Sequence, residues 1–158
     1  MIMIICLIWN KNPKMCYPFD IEDCEEFTDK RTRISVEEKK KIYSARNKNQ
    51  NEVCLIRIDD CLIEEGNKCD YLLLNCDSKV SYFIELKGKD MLHAVEQIDR
   101  SIDLLINKIS EYAVNARIVL KKVYPPDLKS NKYKKLEKKL KKYKGTVLKH
   151  ENILEEDI

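Results

Sequence analysis

No CxxC pair occurs in the 158 residues, although seven cysteines stand at positions 6, 16, 24, 54, 61, 69 and 76. That absence removes the zinc-finger reading, and an odd cysteine count at these spacings spells out no disulfide framework. Reduced thiols in a cytoplasmic protein fit this usage, as does the lack of a targeting signal. The run Cys54, Cys61, Cys69, Cys76 could ligate a metal, but cysteine is also a small core residue and these positions lie in or beside expected strands. Long apolar runs are missing too. The opening "MIMIICLIW" is too short to span a membrane, has no basic flank and no small-residue cleavage site, and so reads as a strand or docking segment. A large charge of either sign is also absent: 30 basic and 27 acidic side chains leave +3, too little to argue for nucleic acid by sum alone. No internal repeat appears. The length suits one domain, which buries roughly two thirds of its unfolded surface.

What is present is unevenly spread. Acidic residues gather in Asp20 to Asp29 and at the C-terminal end, and Lys121 to Lys149 forms a basic block that suits either a polyanion or a solvated helix face. Ser35 with Glu38 makes an N-capping box, and Val36, Ile42 and Tyr43 follow at helical spacing, which predicts a first helix ended by "NKNQN". Three short apolar segments, 52–58, 69–75 and 80–86, read as antiparallel strands joined by tight turns. From Asp90 to about Tyr112, Leu92, Val95, Ile98, Ile102, Leu105 and Ile109 recur at helical intervals. "ARIVLKK" is a fourth strand stopped by Pro125 and Pro126. A last helix runs from Asn131 to about Lys144, Gly145 ends it, and "TVLKH" is a candidate final strand.

The segment "YFIELKGK", Tyr82 to Lys89, raises a chemical question. Alternate strand residues share a face, so Glu85 and Lys87 point one way and Ile84 and Leu86 the other. A turn centred between Asp77 and Ser78 sets Asp70 opposite Glu85, with β-carbons about 5 Å apart, although a slip of one residue would undo this. Two carboxylates so close ask for a cation between them. Magnesium or manganese prefers such oxygen ligands, and a lysine beside them can orient a water and meet charge gathering on a phosphoryl group.

Asp70 in "KCDYLLL" followed by Glu85-Leu86-Lys87 resembles the PD-(D/E)XK nuclease superfamily, in particular its Holliday-junction-resolvase and RecB-like branch, over about Ser35 to Leu120. The resemblance implies an α/β (α+β) domain of the restriction-endonuclease-like fold, a central mixed four- to five-stranded sheet flanked by helices. It implies that Asp70, Glu85 and the carbonyl of Leu86 hold magnesium or manganese and that Lys87 serves the water. Many relatives carry another glutamate in the first helix, for which Glu38, or Glu37 beside it, is the candidate. Relatives of this branch use a glutamine after the lysine, where Gln97 stands. The aromatic residue they carry four positions later is replaced by Ser101, and the proline before the aspartate by Cys69. The chain divides into an N-terminal extension, 1–34, and a nuclease-like domain, 35–158.

Other residues have plainer readings. Gly88 ends a strand or allows close backbone approach, His93 belongs at the surface, and at most one of the adjacent Asp59 and Asp60 can join Asp70. Tyr133 and Tyr143 form a core stripe or a stacking track. Lys89, Lys121, Lys132, Lys135 and Lys139 are candidates for contact with a nucleic-acid backbone. The expected function is metal-dependent phosphodiester hydrolysis, endo- or exonucleolytic, on DNA in preference to RNA, by a homodimer or in a larger complex. The alternatives are a non-catalytic nucleic-acid or protein interaction module with the same fold and, in a third class, a small toxin- or antitoxin-like regulator.

Overall fold

The computed structural model describes residues 23–158, so the apolar opening segment lies outside the described residues. Among the described residues, nine strands form two sheets. β1 (Glu25–Asp29), β4 (Val53–Arg57), β5 (Tyr71–Asn75), β6 (Val80–Leu86), β7 (Ala113–Leu120) and β8 (Val147–Glu151) make a six-stranded sheet in that order. β2 (Arg33–Glu38), β3 (Lys41–Arg46) and β9 (Ile153–Asp157) make a second sheet of three. The large sheet is mixed: β1, β4, β5 and β6 pair antiparallel, whereas β6, β7 and β8 run parallel. The parallel steps require crossovers, supplied by α1 (Met91–Leu105) and then by α2 (Pro125–Leu128) with α3 (Asn131–Lys142).

Each face of the large sheet has its own apolar layer. Leu72, Leu74, Phe83, Ala116 and Ile118 pack beneath Ile98 and Ile102 of α1 and Leu136 and Leu140 of α3. Leu73, Tyr82, Ile84, Leu86 and Val119 face Ile34, Val36, Tyr43, Ala45 and Leu154 of the small sheet. A strand covered on both sides reads as a continuous apolar run, which is why "YLLL" and "SYFIEL" lack clean alternation. The helices are held at their starts by side chains: Asp90 Oδ1 accepts the His93 N–H at 2.9 Å, and Ser130 Oγ accepts the Tyr133 N–H at 3.2 Å.

Several expectations need correction. The first helix does not exist: Ser35 is paired with Ser44 in the β2–β3 hairpin. Burial of Ile34 and Val36 on one strand and of Tyr43 and Ala45 on the other has the period of two that packing on a sheet demands, and this overrides the helix propensity of the Glu and Lys residues between them. The sheet has six strands instead of four or five, and a three-stranded sheet, not a helix, covers its second face. β1 and the start of β2 lie before residue 35 and belong to the sheets. The long helix ends at Leu105, and a 3-10 turn, Ile106–Lys108, follows. A disulfide joins Cys24 to Cys61, while Cys54 and Cys69 are buried free thiols, so the expectation of wholly reduced cysteine fails. Among the described residues no helix is long and apolar enough to cross a membrane.

Candidate active site

Asp70 sits at the fork where β4, β5 and β6 diverge. Its N–H donates to the Ile84 carbonyl at 3.1 Å, and its own carbonyl accepts from Ile58 N–H at 2.9 Å and Asp59 N–H at 3.3 Å. The β5–β6 ladder ends with Tyr71 paired with Ile84, one residue short of Asp70 and Glu85. Where the ladder stops, the side chain takes over: Asp70 Oδ2 accepts the Leu86 N–H at 2.7 Å. An extended residue projects N–H and C=O to the same edge, so the Leu86 carbonyl also leaves on the Asp70 side.

Glu85 lies between β5 and β7 and is only 2% exposed, which excludes an exposed charge ladder. Its Oε2 is buried without a hydrogen-bond partner. Burial, then the neighbouring Asp70 charge, pushes its carboxyl up to about 9, against the pull of Lys87. Asp70 is raised to about 6, chiefly by burial, although the Leu86 N–H opposes this. Glu38 and Asp59 add negative charge to both. Lys87 follows the end of β6, its N–H held by the Val119 carbonyl at 2.8 Å, and its Nζ stands 4.0 Å from Glu85 Oε1.

The other expected residues fall in different places. Glu38 ends β2, so it comes near Asp70 from a hairpin and not from a helix. Gln97 grips the backbone before Asp70, its Nε2 donating to the Lys68 carbonyl at 2.9 Å, while its Oε1 is buried without a partner. Ser101 explains the lost aromatic: its Oγ accepts the Cys69 N–H at 2.9 Å and donates to the Gln97 carbonyl at 2.8 Å, fixing the segment that delivers Asp70. No protein atom would meet a Cβ at Gly88, so the protein's own packing does not require the glycine. Tyr133 is a core residue, 3% exposed, whereas Tyr143 is exposed. Lys132 pairs with Glu96, and Lys139 with Asp99 and Asp103 of α1, so these lysines answer acids of the protein itself. Lys89, Lys121 and Lys135 are exposed.

Sequence reasoning missed Lys68. Its ammonium binds Asp60 at 3.1 Å and Asp59 at 3.6 Å, directly before Cys69, contacts that the sequence pattern does not announce. Among the described residues no set of three His, Cys, Asp or Glu side chains stands ready to hold an ion. The donor chemistry nonetheless fits a hard divalent cation. Two carboxyls forced towards neutrality, one with an orphaned oxygen, are what such an ion would ionise and satisfy. Magnesium also needs no more than one or two carboxylates, because it keeps waters and takes substrate oxygens. Set against known protein families, curated proteins and solved structures, the chain matches none.

Proposed function

We propose that the protein is a metal-dependent phosphodiesterase acting on DNA, on a variant of the restriction-endonuclease-like fold. The observation that carries this reading is the pair formed by Asp70, just before β5, and Glu85 of β6, close enough for the Asp70 charge to help raise the Glu85 pKa, with Lys87 4.0 Å from Glu85. Asp70, Glu85 and the Leu86 carbonyl would hold magnesium or manganese, which when bound supplies Lewis-acid stabilisation of charge on the phosphate. The Lys87 ammonium orients the attacking water and meets charge on the phosphoryl oxygens. The water oxygen bonds phosphorus, its proton passes to solvent, the ester P–O bond breaks with its electron pair on the sugar oxygen, and that oxygen takes up a proton. A homodimer would place two such centres on a duplex. A cytoplasmic setting belongs to the same proposal, and there Cys24–Cys61 is a reducible link.

One observation favours a second reading, an interaction module without chemistry: Asp70 already has a structural task, because its carboxylate satisfies the Leu86 N–H. Incubation with plasmid, linear and single-stranded DNA in magnesium or manganese, beside Lys87→Ala and Asp70→Asn, separates the two. Metal-dependent cutting lost in both variants is expected. Intact DNA on every substrate, with binding that both variants retain, leaves the interaction module.

A further inference from the structure

The exposed lysines differ in how near they come to the carboxylates. Lys132 pairs with Glu96 and Lys139 with Asp103, so α3 runs parallel to α1 and away from the site. Lys141 and Lys142 therefore finish near the start of β7, where the Tyr143 carbonyl accepts the Val114 N–H at 3.1 Å. There they complement the negative end of the helix dipole.

The other end is reached through a relay of backbone bonds. Ile42 N–H donates to the Asn152 carbonyl and Asn152 N–H to the Leu120 carbonyl, each at 2.8 Å, while Lys121 N–H donates to the Gly88 carbonyl at 2.7 Å. This pins the β2–β3 turn over the C-terminal ends of β6 and β7, the end occupied by Glu85 and Lys87. Lys39 and Lys40 form that turn and are exposed. Among the described residues no carboxylate lies in ion-pair range of Lys39, Lys40, Lys89 or Lys121.

The turn is also a costly place for lysine. Lys39 and Lys40 have φ of 47° and 65°, left-handed at both positions of a two-residue hairpin loop. That turn is filled most easily by Asn-Gly, and a side chain with a Cβ is strained there. Lys79 and Lys144 are left-handed too, with φ of 57° and 59°, but among the described residues the β2–β3 turn alone sets two lysines in succession in that conformation.

We propose that the Lys39–Lys40 tip contacts backbone phosphates of a DNA duplex lying across Asp70 and Glu85, with Lys89 and Lys121 at the same end of the molecule. This rests on the phosphodiesterase reading, and it moves the binding face from α3 to the hairpin. Lys39→Asn with Lys40→Gly removes both charges while giving the turn its preferred residues, so the fold is retained and thermal stability holds or rises. Binding of a fluorescent duplex in EDTA is followed across a potassium chloride series for wild type, this variant and Lys141→Ala/Lys142→Ala. The hairpin variant is expected to bind about tenfold more weakly, with a log–log salt slope shallower by about 2, and the α3 variant to change far less. Wild-type affinity and slope in the hairpin variant, or an equal loss in the α3 variant, overturns the proposal while leaving the phosphodiesterase reading in place. Wild type that binds no duplex overturns both.

Discussion

Asp70 Oδ2 accepts the Leu86 N–H at 2.7 Å, so one carboxylate both closes the hydrogen bonding of a strand end and stands beside Glu85. The two tasks separate by substitution. Asp70→Asn keeps an oxygen for the Leu86 N–H and removes the charge. It is expected to hold urea stability within about 1 kcal/mol and to abolish metal-dependent cutting. Asp70→Ala orphans the N–H and is expected to lose about 1–3 kcal/mol as well. Equal stability of the two variants would show that the bond contributes nothing to folding.

Glu85 makes stability depend on pH in an unusual direction. Its native carboxyl titrates at about 9, and an unburied glutamate near 4.5. Between those values the native state holds a proton that the unfolded chain has released, so stability falls as pH rises through the window and levels off above it. Asp70 adds a smaller fall below about pH 6. Urea midpoints measured from pH 5 to 9 without metal should therefore decline, and Glu85→Gln should flatten the decline. Magnesium should stabilise more at pH 8.5 than at pH 6, because binding must displace the Glu85 proton. A wild-type profile as flat as that of Glu85→Gln would remove the buried, protonated carboxyl.

How far these features could be read in the sequence depended on whether local or distant contacts decide them. The β5–β6 register followed from a tight turn and two short runs and was legible down to Tyr71 opposite Ile84, as were α1, β7, α3 and β8. The β2–β3 hairpin was not. "SVEEKKKIYS" carries a capping box and helix-tolerant Glu and Lys, and its turn lacks the Asn-Gly that marks a hairpin. The alternation of Ile34 and Val36 was the signal available. β9, "ILEED", buries only Leu154 and exists through parallel pairing with β3, more than a hundred residues away in sequence, which no local pattern encodes. Glu38 was named for a helix and reached the site from a strand, because its proximity depends on that distant pairing.

Disulfide connectivity also escapes spacing. Cys24 and Cys61 are separated by 37 residues, and the bond ties the start of β1 to the loop that carries Asp59. Closing a loop of that length contributes about 4 kcal/mol in the chain-entropy treatment. Cys24→Ser with Cys61→Ser should lower the urea midpoint accordingly in the absence of reductant, whereas reductant acts on wild type through this bond and that of Cys76 together. If reductant leaves the wild-type midpoint unmoved, the bond contributes nothing to stability.

The two sheets are joined by a buried ion pair whose removal tests the whole arrangement. Arg117 of β7 is 4% exposed and grips Glu156 of β9 through Nε at 2.6 Å and Nη2 at 3.0 Å. Tyr43 donates to the same Glu156 at 2.9 Å, and the Arg117 Nη1 is held by the Ala116 and Thr146 carbonyls, each at 3.0 Å. Such a pair adds little over apolar residues of similar size, but half of it alone is destabilising because a charge is left buried. Glu156→Ala is therefore expected to lose about 3–5 kcal/mol in urea denaturation, and Arg117→Met/Glu156→Leu to recover most of that loss. Recovery would show that the pair does not supply the adhesion between the sheets. A double variant as unstable as Glu156→Ala would mean that the hydrogen bonds to Tyr43 and Thr146 hold the small sheet in place, and with it the approach of Glu38 to Asp70.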